Sequence, residues 1–430
     1  MKTGSIVAVL SIALAWAPLA PAQDAGPDAA EDDPPAGMAS EEGDEPAASD
    51  AAAAQRDIFD VIRDWRDKPP PPPPDYKKRM IAGSPVVSYS PTSGAGIGFA
   101  GNVAFFKGYP ETTRISSMVA SVIATTEKQL LASAKINAST ANNTWHFEGD
   151  NRFYWTSQKT YGLGTGTSSE DAVDQKFDQF RFYETLYREV REDVFLGAGF
   201  LYNLHTDVQP NDDDAEAAWP DSPYVRYSER YGFDPASQSS AGFSLHALVD
   251  ARDGAINPSR GGYAKASYLM FFEDFLGGTS NWQQVSYDLR TYARLSGDGR
   301  HKLAFWTFGD LVTGGVAPYL DLPGTGLDTY GRSGRGYPQG RFRGERMLYG
   351  ELEYRWTVSG NGLFGMVFFL NAQTFNNQES GEELFDSVAP GGGFGFRLLL
   401  NKRSQTNLCF DIGFGKEGSH AVYFAVQEAF

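Results

Sequence analysis

LYGELEYRW, residues 348–356, sets Leu348, Gly350, Leu352, Tyr354 and Trp356 on one side of an extended chain and Tyr349, Glu351, Glu353 and Arg355 on the other. The period is two, that of a β-strand, whose successive side chains leave opposite faces. One face is apolar and the other carries charge. Working outward, the same texture recurs. Phe394, Phe396, Leu398 and Leu400 oppose Gly393, Gly395 and Arg397; Leu408, Phe410, Ile412 and Phe414 oppose Cys409, Asp411 and Gly413. From residue 86 to 430 Gly and aromatics dominate, and alternating runs come in lengths of about ten, as in membrane-crossing strands.

A soluble β-sandwich also alternates, but it needs a second sheet to cover so many bulky faces. Aromatics make up 14% of this chain while mean hydropathy is only −0.38, a mixture that suits an apolar outer wall around a polar lumen. The pattern predicts an all-β fold: a transmembrane antiparallel β-barrel of sixteen strands, near 84–90, 94–107, 112–126, 128–140, 143–156, 176–190, 192–204, 238–252, 261–274, 281–295, 300–313, 345–357, 362–374, 388–400, 405–415 and 420–430. Long links (157–175, 205–237, 314–344, 375–387) alternate with short ones such as 358–361 and 401–404. Long outer loops over short periplasmic turns are expected of an outer-membrane barrel, and they place both chain ends in the periplasm. Val422, Phe424, Val426 and Phe430 share a face, with Glu428 the one break. A closing strand ending in Phe is what such barrels present to their assembly machinery, so these four are read as an assembly signal.

The N-terminal quarter differs. Residues 1–22 read as a signal peptide: Lys2, an apolar run over 6–16, and Ala20-Pro21-Ala22 with cleavage after Ala22. A membrane anchor fits less well, because the run is short and Pro18 and Pro21 break it; no Cys follows to carry a lipid. Residues 23–55 hold ten acids and no Lys or Arg, which predicts a disordered acidic tether. RDIFDVIRDWRD, 56–67, predicts one short amphipathic helix with Ile58, Ile62 and Trp65 on one stripe. So short a helix needs a docking surface. Either it docks at the periplasmic mouth or membrane interface and steadies the barrel, or it is a loose stretch of linker. Pro69 to Pro74 add a polyproline spacer of about 19 Å. The organisation is therefore 1–22 signal peptide, 23–55 tether, 56–83 helix and spacer, 84–430 barrel.

Net charge is −17 and pI about 4.8, which argues against a nucleic-acid partner. Cys409 is the only cysteine, so no internal disulfide or thiolate cluster forms; it is a packed small hydrophobe or a reactive thiol. The five His residues show no metal spacing, and no Gly-x-Ser-x-Gly or Ser/His pair marks a hydrolase. No enzyme, metal or cofactor is expected. Asp212-Asp213-Asp214 reads as a calcium loop or a solvated acidic loop. The glycine-rich stretches 94–101 and 391–395 precede no helix and read as bulge or close-packing sites.

The most distinctive segment is GRGYPQGRFR, 334–343, followed by Glu351-Leu352-Glu353-Tyr354-Arg355. It resembles the loop-six Arg-Gly-aromatic motif of the bacterial surface-antigen barrels of the BamA/TamA family. The stretches 86–94, 250–262 (with Asn257-Pro258 and Gly261) and 393–430 resemble the family's first strand, mid-barrel turn and last three strands. The resemblance covers about 345 residues. It implies that Arg335, Gly336 and Tyr337 fold back into the lumen, where the Arg meets an acid on the thirteenth strand. Two positions depart. Gly334 stands where an aliphatic residue is usual, and Asn371 stands where the family shows that Asp. Asn371 accepts a hydrogen bond but carries no charge; Glu353 and Asp411 face the lumen by parity and are the alternative partners. No repeated POTRA modules are legible, so the reading is of a member lacking them. A guanidinium with five donors suits pinning a loop among carboxylates; the bland reading of Arg335, Arg341 and Arg343 is a basic outer loop on lipopolysaccharide phosphates. The resemblance implies assistance to protein or lipid insertion or translocation at the outer membrane, with membrane lipid, lipopolysaccharide, the assembly machinery and client molecules as partners. The competing readings are a passive pore or structural barrel whose loop constricts the lumen, and, less favoured, a barrel-embedded enzyme.

Overall fold

The computed structural model describes residues 55–69, 78–90, 94–110, 112–402 and 404–430. The segments read as signal peptide and tether, up to residue 54, and the Pro run from residue 70 lie outside the described residues. Sixteen strands form one antiparallel sheet in chain order, each paired with the next. They are β1 (Met80–Ser90), β2 (Gly94–Phe105), β3 (Ser116–Thr125), β4 (Leu130–Ser139), β5 (Trp145–Thr160), β6 (Val173–Arg191), β7 (Val194–Pro210), β8 (Gln238–Asp250), β9 (Gly261–Phe271), β10 (Trp282–Arg294), β11 (His301–Gly315), β12 (Arg346–Thr357), β13 (Phe364–Phe375), β14 (Ala389–Asn401), β15 (Thr406–Gly415) and β16 (His420–Val426). The end strands β1 and β16 lie against each other. Among the described residues no backbone ladder joins them.

Each of the sixteen expected strands is present. The alternation that predicts them is the wall itself: Tyr349, Glu351, Glu353 and Arg355 are buried while Leu352 is exposed. The ends of several strands differ from expectation. β5, β6 and β7 run to Thr160, from Val173 and to Pro210, beyond the alternating stretch, because there they carry loops rather than face apolar surroundings. β1 begins at Met80, so the first strand is longer than expected. The short end strand is β16, seven residues long.

The closing strand also needs correction. Gln427 takes φ +83°, ending β16 at Val426. Phe424 stays exposed, whereas Phe430 is buried and lies against Trp306 at 5.2 Å and Tyr292 at 6.2 Å. Phe430 thus turns inward and does not share the outer face of Val422, Phe424 and Val426. The cause is Glu428, whose carboxylate meets Arg397 at 2.8 Å and accepts from Asn407 at 2.7 Å. A buried charge must be paired, and its partners are on the inner wall.

At the long-loop end, loops 161–172, 211–237 and 316–345 pack into a cap. The 211–237 loop contains helices α2 (Asp213–Ala218) and α3 (Pro223–Tyr231). The N-terminal helix, α1, spans Ile58–Trp65. Tyr224 and Tyr227 of α3 pack on Tyr319, Leu320 and Leu322, and Tyr227 Oη donates to Ala317 O at 2.9 Å. Asp212 is the N-cap of α2, accepting from Ala215 N at 2.7 Å.

The helix α1 (Ile58–Trp65) docks at the opposite, short-turn end with the face the sequence reading did not choose. Asp57 and Asp60 are buried, while Phe59, Ile62 and Trp65 are exposed. Asp57 and Asp60 cap the helix reciprocally. They also meet the 402–405 turn: Lys402 N donates to Asp57 at 3.1 Å and Lys402 Nζ reaches Asp60 at 2.6 Å. Arg56 N donates to Asn361 O at 2.9 Å in the neighbouring turn. Turn donors without strand partners attract the acidic face, which outweighs burial of the apolar one. Burial opposes the Asp60 charge, but hydrogen bonds from Lys402, Arg63 and the Asp57 backbone hold its carboxyl down at about 2. A depressed carboxylate stabilises the dock fully above its free pKa near 4 and loses that contribution as pH falls through about 2. Pepsin is therefore expected to cut around Phe59 faster at pH 2 than at pH 4 by a larger factor in the parent than in Lys402→Met. Equal factors would show that this ion pair does not hold the helix.

Candidate functional site: the lumen loop and its carboxylates

The 316–345 loop leaves β11, joins the cap and turns down into the lumen before β12. Gly334 takes φ +69°, a conformation costly for an aliphatic side chain, which explains that departure from the resembled motif. The inner faces of β14 and β15 make the room. A Cβ at Gly413 would lie 2.6 Å from Gly336 N, and one at Gly415 would lie 2.5 Å from the Tyr337 ring. The Gly-rich stretch of β14 and β15 is thus a seat for the loop.

Arg335 ends in that seat, 2% exposed. Its Nε and Nη2 bond Glu351 at 3.3 and 2.5 Å, Nη2 also bonds Glu353, and Nη1 bonds Asp411 at 2.9 Å. The guanidinium lies 3.8 Å from the Phe369 ring centre. Arg355 holds Glu353 at 2.7 Å, and Arg397 holds Asp411 at 2.5 Å. Tyr349 Oη donates to Glu351 at 2.6 Å. Three arginines and four carboxylates, counting Glu428, form one continuous buried network. A guanidinium fork spanning three acids is a geometry that a flexible ammonium cannot copy.

Glu353 and Asp411 therefore both meet Arg335. Asn371 does not accept from the guanidinium: its Nδ2 donates to the backbone carbonyl of Arg335 at 2.9 Å. The charge falls to Glu351, which stands opposite Asn371 on the neighbouring strand. Sequence reasoning named Glu351 on the inward face but not as a partner; its shared parity with Glu353 was the available signal. Gly336 N donates to Tyr423 Oη at 3.1 Å, and Tyr337 Oη donates to Pro390 O at 2.5 Å.

Arg341 and Arg343 are buried as well. Arg341 bonds Thr167 and Glu417, and Arg343 donates to the carbonyls of Tyr319, Leu320 and Leu322 and to Gln158. Neither forms a basic outer surface. Arg332 donates to Val426 O at 3.0 Å and Gln427 O at 2.8 Å and also to Glu428 O, tying the loop to the end of β16. On the far side Arg152 donates to Thr329 O at 3.0 Å. The loop thus bridges the lumen from β5 to β15. Cys409 is buried on the inner wall beside Gln427 O at 3.2 Å.

Comparison with solved structures finds barrels of similar fold. BamA from Haemophilus ducreyi lacking POTRA domains 1–3 superposes with a TM-score of 0.53 at 13% identity, over 82% of this chain and 70% of that one. The fold is that of the BamA barrel. CdiB from Acinetobacter baumannii (TM-score 0.51, 13% identity) and CdiB from Escherichia coli (0.50, 10%) match over 82% and 84% of this chain. This chain spans 60% and 63% of their lengths. No family model and no curated protein sequence matches the chain. At these identities the likeness to BamA and CdiB is one of fold.

Proposed function

We propose that this chain is a barrel of the bacterial outer membrane, its short turns in the periplasm, that assists insertion or passage of proteins or lipids through its wall. The supporting observation is the pairing of a bridged lumen with a weak wall. The 316–345 loop is held across the lumen by Arg335 and Arg152, which leaves the lumen a poor route. The wall has one place without a ladder among the described residues, between β1 and β16. There β16 offers only seven residues. Lipid, lipopolysaccharide and client strands are the partners in this reading, with the assembly machinery acting during biogenesis and no catalytic step. The likeness to BamA and CdiB in fold agrees with it.

Reconstituted into liposomes, the protein is expected to raise the rate at which an unfolded outer-membrane barrel inserts several-fold above empty liposomes. Equal rates with and without it would sink the proposal. A steady, wide-channel conductance of the unmodified protein in planar bilayers would instead favour the passive-pore reading.

A further inference from the structure

Phe243, Leu245 and Val249 of β8 face outward and are exposed, as the alternation of the wall requires. Ser239 and Ala241 share their parity at the long-loop end of the strand, yet both are buried. The turn between β9 and β10, residues 272–281, folds against this end of β8. Ser239 Oγ donates to Gly277 O at 2.5 Å, and Thr279 N donates to Ser239 O at 2.8 Å. Phe271 faces inward, stacked on Trp282 at 4.0 Å, so the next residue, Phe272, leaves on the outer side. The Phe275 ring lies 5.4 Å from the outward Phe243, which in turn lies 6.0 Å from Phe200 of β7. This turn therefore rests on the outside of the barrel, unlike the loops that pack into the cap.

Its backbone is bent at a cost. Asp274 takes φ +62° and Leu276 φ +50°, a region that residues with a Cβ seldom enter and that suits a leucine poorly. The sequence, Phe272-Glu273-Asp274-Phe275-Leu276, is also unlike the small polar residues usual in a turn. The bend leaves Leu276 58% and Phe272 40% exposed, adjoining the exposed row of Phe243 and Leu245. Just below, Tyr268 Oη donates to Gln283 at 2.5 Å on the same outward face, a polar aromatic of the kind found where a barrel wall meets headgroups. Glu273 and Asp274 are exposed in the same turn and bar deeper entry into acyl chains.

We propose that the 272–278 turn is a lipid-binding element, lying on the membrane surface with Phe272 and Leu276 among the upper acyl chains of the outer leaflet. What covers these two side chains follows from where they stand: they continue the apolar wall, and the occupant of that wall is lipid. The strained bend then has a use, since it turns Leu276 toward the bilayer. β8 and β9 lie halfway round the sheet from β1 and β16, so the element grips lipid on the side of the barrel farthest from the seam. The inference rests on the barrel standing in a membrane with its long loops outward, and not on its role in insertion.

The test uses the full chain in phosphatidylcholine nanodiscs, with folding checked by heat-modifiable gel mobility. Leu276→Cys and Phe272→Cys are labelled on the folded barrel with the fluorophore NBD; Cys409 is buried there, and the labelled parent measures any background. Leu352→Cys, outward on β12, is the control for lipid, and Ala217→Cys, exposed on α2 of the cap, the control for water. Nitroxide lipids labelled high on the acyl chain are expected to quench positions 272, 276 and 352 and to leave 217 bright. Dithionite, which stays in water, is expected to bleach position 276 roughly tenfold more slowly than 217. If 352 is quenched while 276 bleaches like 217, the turn stands in water and the proposal falls, with the barrel reading intact. A label at 276 shielded from both quenchers would show that protein covers it, which also overturns the proposal. If 352 itself escapes the nitroxide, the membrane wall and this inference fail together.

Discussion

Arg335→Ala is expected to release the 316–345 loop from the lumen wall, raising single-channel conductance or its noise and exposing the loop to protease. The guanidinium is buried among Glu351, Glu353 and Asp411 and stacked on Phe369. Removing it leaves three buried carboxylates with only Arg355, Arg397 and the Tyr349 hydroxyl nearby. Breaking a buried ion pair from one side costs about 3–5 kcal/mol, and this residue serves three. The loop's remaining ties include Tyr337 and Arg332, which hold it to β14 and β16. Arg335→Lys is expected to recover only part of the loss, since an ammonium has no planar fork and stacks poorly. Unchanged conductance and unchanged loop proteolysis in both variants would mean that this network does not hold the loop.

The second large effect runs against the resemblance. Asn371→Asp installs the acid that the resemblance to BamA/TamA-type barrels implies at this position, yet here it is expected to loosen the loop. The Asn371 amide donates to the Arg335 carbonyl; a carboxylate has no proton to give there and repels that oxygen. It also adds a fifth acid to Glu351, Glu353, Asp411 and Glu428, against three arginines. Losing a buried hydrogen bond and adding an uncompensated charge amount to roughly 2–4 kcal/mol. Thermal unfolding in detergent and the rate of loop proteolysis are the measurements. A variant as stable as the parent, with a more protected loop, would show that the guanidinium swings to the new acid.

The strands and their number were legible because a wall with acyl chains on one side and a lumen on the other imposes a period of two on every crossing. Residues 348–356 therefore determined their own inward and outward faces, and the same rule found sixteen strands and placed Glu353 and Asp411 on the inner side. The motif around Arg335 was legible as well, since Gly and Arg in that spacing serve a close-packed, multiply bonded loop. Alternation ends where strands leave the membrane, which is why the extensions of β5 to β7 were not seen. Three features were decided only by the tertiary structure. Glu351 became the chief partner of Arg335, and Asn371 a donor, because the register of β12 against β13 sets which inward groups converge. Phe430 turned inward because Glu428 finds Arg397 and Asn407, which are nearby only in the closed sheet. The helix α1 presented Asp57 and Asp60 rather than Ile62 and Trp65, because the surface it met was a polar turn. A local pattern fixes which side of the wall a residue faces; which atoms meet there depends on strands far apart in sequence, and that pairing is a property of the folded barrel alone.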